Sequence, residues 1–412
     1  MTNKLPELLA PAGSMRTLET ALRFGADAVY CGLPRYGLRA GARNLTSEEL
    51  PLAAQRCHQA GARLHLTLNI FAMDTDLSGM TDTARLARDA GVDALIVSDL
   101  GAVARICREV PGIQVHVSTQ ANTTNSDSCR VYRDLGASRV VLSRELPLTA
   151  IREMAMQLAG EMELESFVHG AICMAYSGRC LLSCALSGRS ANRGSCSQPC
   201  RWTYALQEEK RPGEYFPLEE GDRGTAILSS RDLCLLQDLP ELMEAGIASF
   251  KIEGRMKNEL YVATVTGAYR RAMDAIGRGA WTGEVRDACR RELDFISHRV
   301  YDTGFYFGAP RVCGGAVGTR EAAEYVAFVL EVSGGEALVE MRNRFVRGDV
   351  LTAVTPAGTL PVPVERIHLE DGTPAEQVTV PLSHARIPVP VGVAAGDLLR
   401  GPVRNRAMGG EA

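Results

Sequence analysis

Five cysteines, Cys173, Cys180, Cys184, Cys196 and Cys200, fall within 28 positions of a 412-residue chain that carries twelve in all. Around them stand Gly178, Gly188 and Gly194 and the basic residues Arg179, Arg189, Arg193 and Arg201, after an apolar run that ends at His169-Gly170. A single cysteine is usually a small buried hydrophobe. Five of them in a loop this rich in Gly, Ser and Arg have little core to enter, so their chemistry points to metal ligation beside an anion-accepting pocket. Thiolate is a soft donor that suits zinc or an iron–sulfur cluster. Of the short pairs that structural zinc favours, 180/184 and 196/200 are present. A Cys-x3-Cys-x2-Cys run fails, because Thr203 stands where the third cysteine would follow Cys196 and Cys200. Cys31, Cys57, Cys107, Cys129 and Cys289 fall in apolar surroundings and read as structural.

The elements that must position this loop repeat one pattern over the first 255 residues. A helical stretch closes on a glycine and a short apolar run follows, as in RFGADAVYCG, HQAGARLHLTLN, RDAGVDALIVSD, RDLGASRVVLSRE and MEAGIASFKIEG, with LAGEMELESFVHG as a looser copy. Each glycine suits the left-handed residue that ends a helix. The runs predict strands at Ala28–Cys31, Leu64–Asn69, Leu95–Ser98, Val115–Gln120, Val140–Ser143, Ser166–Val168 and Phe250–Ile252, with an eighth at 8–10. Their continuous apolarity fits strands buried on both faces of a parallel sheet. Eight such units predict an α/β fold, a (β/α)8 TIM-like barrel over residues 1–300 with a Cys-rich insertion at about 171–235. No Gly-x-Gly-x-x-Gly follows the first strand, which argues against a dinucleotide fold.

Polar residues recur just past these strands: Arg35, Arg39, Asn69, Asp99, Gln120, Asn122, Arg144, Glu145, His169, Glu253 and Arg255. In a barrel all of them converge on the C-terminal rim, where such enzymes do their chemistry. Gln207–Gly224 reads as a surface excursion, and Ser230 or Asp232 as the cap of a helix with Cys234 in its first turn. Residues 256–300 read as helical, with a solvated basic face that includes Arg290 and Arg299. Residues 301–320 read as a linker. From 321 to 412 the pattern alternates, with Ser333-Gly334-Gly335 as a hairpin turn, which predicts a small C-terminal antiparallel β-barrel domain and a frayed end at Gly409–Ala412.

Hydrophobic content of 46%, charged content of 23% and a net charge of −4 are those of an ordinary globular protein. No apolar run of ~20 residues could span a bilayer and no secretory leader is evident, so the expected location is cytoplasmic, without membrane contact. Negative net charge disfavours indiscriminate nucleic-acid binding, though a local basic face would still hold RNA.

Glu165-x-Phe167-x-x-Gly170-Ala171-Ile172-Cys173, followed by Gly178-x-Cys180-x-x-Ser183, resembles the motif of peptidase family U32, the collagenase-like peptidases. PELLAPAGS, GADAVYCG, PRYGLRA, SRDLC and SFKIEGRMKN extend the resemblance over most of the chain. HGAICMAYSGRCLLS and CSQPCRW resemble most the members that hydroxylate the wobble uridine of tRNA to 5-hydroxyuridine in a prephenate-dependent reaction. The resemblance implies a [4Fe–4S] cluster on Cys173, Cys180, Cys196 and Cys234, with Cys200 in reserve as the fourth ligand and Cys184 a bystander. It implies as partners a tRNA anticodon loop and a small carboxylate cosubstrate, prephenate. On this reading Arg39, Arg144 and Arg255 clamp a carboxylate or phosphate, and Asn69, Gln120 and Glu145 complete the substrate site. His169 and Glu253 are the candidates for proton transfer. Tyr36, Phe71, Tyr176 and Trp202 are available to stack on a splayed base. The competing readings are a peptidase, for which neither His-Glu-x-x-His nor Gly-x-Ser-x-Gly is present, a ribosomal RNA hydroxylation protein, and a zinc scaffold that binds RNA without catalysis.

Overall fold

The computed structural model describes residues 5–173, 175–202, 205–206, 210, 216–217, 231–308 and 320–404. Eight parallel strands close on themselves: β1 (Glu7–Pro11), β2 (Ala28–Gly32), β3 (Arg63–Leu68), β4 (Ala94–Val97), β5 (Gln114–Val117), β6 (Arg139–Val141), β7 (Glu163–Ala171) and β8 (Ser249–Ile252). Each pairs with the next, and β8 pairs with both β7 and β1. The expected TIM-like barrel is therefore present. Gly25, Gly61, Gly91, Gly136 and Gly246 all have positive φ, as helix-closing turns require. The last residues expected in the fifth strand turn instead into a 3-10 segment, Thr119–Ala121, started by the Ser118 side chain accepting from the Gln120 amide.

Alternation along the strands sorts their side chains. Leu64, Leu66 and Leu68 of β3 join the core beneath the surrounding helices, while His65 and Thr67 face the barrel interior. That interior is charged below the rim. Arg139, 1% exposed, donates to Glu7 at 2.5 Å, to Glu165 at 3.0 Å and to Glu163 at 2.7 Å, and Lys251 donates to Glu165 at 2.8 Å. Buried ions are costly unless paired in this way. Next to them the His65 and His116 rings stand edge to face, 4.9 Å apart, both fully buried.

Ser230 lies outside the described residues, and at Asp232, the other residue expected to open a helix, the chain forms a strand instead. Asp232–Cys234 lies antiparallel on the end of β7, with Leu233 opposite Gly170 and Cys234 opposite His169. Tertiary pairing overrides the local capping signal here: Arg299 holds the Asp232 carboxylate with its backbone N–H at 3.0 Å and Nη2 at 2.6 Å. Arg299 is accordingly buried, not part of a solvated face. The helices Glu259–Gly277 and Gly283–Glu292 follow β8 as expected. Most of 207–224, all of 312–319 and 409–412 lie outside the described residues.

The C-terminal region is an eight-stranded antiparallel sheet whose first hairpin, Glu324–Ser333 with Glu336–Met341, turns at Gly334-Gly335. It docks on the barrel through Arg16–Glu340 (2.5 Å), Arg23–Asp397 (2.6 Å) and Arg400–Glu292 (2.8 Å). Tyr325, Val354 and Leu398 join the barrel's apolar core.

Burial holds the His65 imidazole neutral, lowering its pKa to about 4 from 6.5 despite the pull of Glu7. Between pH 6.5 and about 4 the unfolded chain then binds a proton at this position that the folded chain does not, so stability falls as the pH is lowered across that window. Urea unfolding at stepped pH should show this loss, and His65→Gln should remove about 1.4 kcal/mol per pH unit from the slope.

Candidate active site

The C-terminal mouth of the barrel opens into a cavity of about 150 Å³. Just past β8, Glu253 and Arg255 enter its wall, joined by Arg39 from the loop after β2, Asn69 after β3, Gln120 after β5, and Arg144 with Glu145 after β6. All of these were expected at the rim, and the structure brings them together. Glu253 lies between Arg39 at 3.2 Å and Arg144 at 3.6 Å. Burial alone would raise its pKa, but Arg39 and Arg144 outweigh it and hold the carboxyl ionised, below its usual range. Arg144 also donates to Ala171 O at 2.6 Å and lies over the Phe167 ring at 3.7 Å, which fixes its plane. Arg255 is 3% exposed and donates to Thr67 Oγ1 at 2.5 Å and Asn44 Oδ1 at 3.2 Å. No carboxylate of the described residues lies within 4.0 Å of it. Arg39 and Arg144 thus share Glu253, Arg255 has no carboxylate partner among the described residues, and Glu145 is held by Ser143 and Ser177, an arrangement that favours an incoming anion.

Lys251 forms part of the floor, its ammonium 4.6 Å from the Tyr30 ring. It was not among the expected site residues, although one lysine between Phe250 and Ile252 in an otherwise apolar strand is a visible sign of an inward charge.

The cysteine loop forms the roof. It is clamped to the rim by backbone contacts that leave no room for side chains. A Cβ on Gly178 (φ +75°) would collide with Gln120 O, and one on Gly194 (φ +92°) would come within 2.6 Å of Gly37 O. Phe71 N–H donates to Asn192 O at 2.7 Å, Arg193 reaches Asp76 at 2.8 Å, and Ser177 N–H donates to Glu145 at 2.9 Å. Cys173, Cys180, Cys196 and Cys200 line the cavity, and the Gln198 N–H donates to Cys196 Sγ at 3.3 Å. Burial raises the Cys200 pKa, and Cys173 and Cys196 add to the shift. Among the described residues no three His, Cys, Asp or Glu side chains are grouped to hold a metal ion. Four thiols that line one cavity are, by their chemistry, the soft donor set that zinc or an iron–sulfur cluster takes. Cys184 is exposed and does not line the cavity.

Three expected site residues lie elsewhere. Cys234 is half-buried outside the cavity lining, beside Tyr269 and within electrostatic reach of Arg290. His169 also stays out of the cavity, its ring 5.5 Å from that of Tyr269 and 5.4 Å from that of Tyr301. The cause is a bulge: Lys251 pairs with Phe167 but Ile252 with His169, so Val168 is skipped and the strand reverses its faces. Phe167 thus points into the barrel and His169 out, where burial lowers its pKa to about 3. Proton transfer from His169 to a ligand in the cavity is corrected accordingly. Tyr36 is buried against Gly79 and cannot stack on a base, whereas Phe71, Tyr176 and Trp202 are exposed. Of the other rim residues, Asp99 caps a helix by accepting from the Ala102 amide at 2.9 Å, and Asn122 accepts from Ser143 Oγ at 3.0 Å.

Residues 13–314 match peptidase family U32, and residues 321–400 match the peptidase family U32 C-terminal domain. The chain belongs to peptidase family U32. Among its U32 relatives, tRNA hydroxylation protein P1 of Bacillus subtilis is 36% identical over 404 residues, covering 96% of this chain and 95% of that one. The tRNA hydroxylation protein P of Escherichia coli is 34% identical, covering 89% of each chain. An uncharacterized protease of Methanocaldococcus jannaschii is 44% identical over 304 residues, 73% of each chain.

The glycine clamp gives a direct test. Gly178→Ala should lift the cysteine loop from the rim at a cost of about 1–3 kcal/mol. Limited proteolysis should then cut within 175–200 at least about fivefold faster, with the circular dichroism of the barrel unchanged.

Proposed function

We propose that this U32 protein hydroxylates RNA, with the wobble uridine of tRNA as its target and 5-hydroxyuridine as its product. One observation carries the reading: the cationic rim and four cysteines of the roof line a single cavity at the C-terminal mouth of the barrel. The hydroxylation proteins matched over nearly the whole chain support it. A peptidase gains little from the site, because no histidine is among the described residues lining the cavity and so no Cys–His or Ser–His pair is available there.

In this reading Arg39 and Arg144 bind the carboxylate of a small cosubstrate such as prephenate, displacing part of their contact with Glu253. Glu253, kept ionised between them, orients the ligand by accepting a hydrogen bond. The amides of Asn69 and Gln120 match the donors and acceptors on a pyrimidine edge. Phe71, Tyr176 and Trp202 offer exposed rings on which a splayed base can stack. The roof excludes bulk water from the base. A [4Fe–4S] cluster held by the loop thiolates would supply redox chemistry at this point. Cys173, Cys180 and Cys196 are its proposed ligands. For the fourth, the cavity lining favours Cys200 and the family resemblance favours Cys234.

Two measurements check this. In a bacterium lacking its own tRNA hydroxylation protein, the wild-type chain should restore 5-hydroxyuridine in digested tRNA. Cys173→Ala should abolish it and Arg144→Ala should lower it at least about tenfold, the loss expected of a missing charge-assisted contact. Full modification by Cys173→Ala would refute the cluster reading. Iron analysis of anaerobically purified variants should show loss in Cys173→Ala, Cys180→Ala and Cys196→Ala. Of Cys200→Ala and Cys234→Ala, only the true ligand's variant should lose iron as well.

A further inference from the structure

A second cavity, about 450 Å³, lies where the rim meets the C-terminal domain, and the mechanism above makes no use of it. Its walls come from the β1 loop (Gly13, Ser14, Thr17), the segment Gly41–Arg43, the β8 loop (Arg255 to Glu259), and Tyr325, Arg342 and Asn343 of the C-terminal domain. We propose that this cavity binds a phosphate group, supplied, on the RNA reading above, by the backbone of the bound RNA.

Four independent features support an anion here. The lining holds four cationic side chains, Arg43, Arg255, Lys257 and Arg342, against one carboxylate, Glu259. Glu259 is itself engaged by Arg342 at 3.7 Å, and Arg342 also pairs with Glu340 at 2.8 Å. Arg43 is exposed and makes no ion pair with any described residue. Buried polar atoms along the walls also lack hydrogen-bond partners: Arg255 Nε, Arg342 Nε and Tyr325 Oη. Arg255 is 3% and Tyr325 6% exposed, so this is an unmet demand inside the protein, not at a wet surface. Arg342 moderates the Tyr325 hydroxyl electrostatically without meeting hydrogen-bond geometry.

Two helices also begin at this cavity, Met15–Arg23 capped by Ser14 and Glu259–Gly277 capped by Asn258, so the positive ends of two dipoles meet there. In barrels of this kind the loop after the eighth strand is a recurrent phosphate position. Arg255 lines both cavities. A phosphate held on one side of it would anchor the strand whose base enters the other.

Arg43 is the clean probe, since no described contact depends on it. Binding of an unmodified tRNA transcript would be titrated at several KCl concentrations for wild type, Arg43→Glu and Arg43→Lys. Arg43→Glu should weaken binding at least about fivefold and flatten the slope of log K against log salt by about one, with Arg43→Lys close to wild type. In parallel, the ³¹P line of inorganic phosphate should broaden with wild type and Arg43→Lys but not with Arg43→Glu. If wild type binds no RNA yet broadens the phosphate line through Arg43, the site stands with a free phosphate compound as its ligand, and the RNA reading of the main cavity fails. If Arg43→Glu leaves RNA affinity, salt slope and phosphate linewidth unchanged, the proposal is overturned.

Discussion

The close pairing of β7 with β8 is the constraint on which the rest of the site depends. It closes the barrel, and it does so with a register slip between Lys251 and Ile252. That slip keeps Phe167 inside, where it supports Arg144 and Lys251, and sends His169 out among the tyrosines. Past the slip the strand ends come so close that a Cβ on Gly170 would lie 2.5 Å from Glu253 O. Glycine at 170 is therefore required for Glu253 to stand between its two arginines. The outer edge of β7 then remains free to pair with Asp232–Cys234, which ties the far end of the cysteine insertion to the barrel.

Charge is layered along the barrel axis. The lower layer sets Glu7, Glu163 and Glu165 against Arg139, Arg63 and Lys251, so its charges are compensated pair by pair. Lys251 links it to the cavity, paired below with Glu165 and facing aromatic rings above. At the rim compensation fails, with Arg39 and Arg144 sharing Glu253 and Arg255 without a carboxylate partner among the described residues. Buried ion pairs rarely add stability over apolar packing, yet removing one partner is costly. The lower layer thus holds a fixed geometry beneath a rim left cationic for a ligand.

Much of this was legible in the sequence because it follows from local rules. Helix-closing glycines and short apolar runs are set by backbone sterics and burial, and they marked six of the eight strands to within two residues, while the end of β5 and both ends of β7 lie three residues from the expected positions. The rim residues followed from topology, since a barrel gathers whatever stands after its strands. The failures share a different cause. His169 depends on a bulge that only the β8 partner imposes, and Asp232–Cys234 on pairing with an edge far upstream, at His169–Ala171. Tyr36 reads as a loop aromatic, but its positive φ of 65° turns it inward against Gly79. Lys251 was legible as a lone charge in mid-strand, but the rule that gathers functional residues after strand ends does not reach it.

The central claim is that the cavity roof is built to carry an iron–sulfur centre beside the cationic rim. Its most direct test is the absorption spectrum of the wild-type protein purified without oxygen, with iron and sulfide analysis. The account predicts a broad band near ~400 nm and about four irons and four sulfides per chain, as thiolate-held [4Fe–4S] clusters show. Zinc in place of iron, or a colourless anaerobic protein without metal, would contradict it.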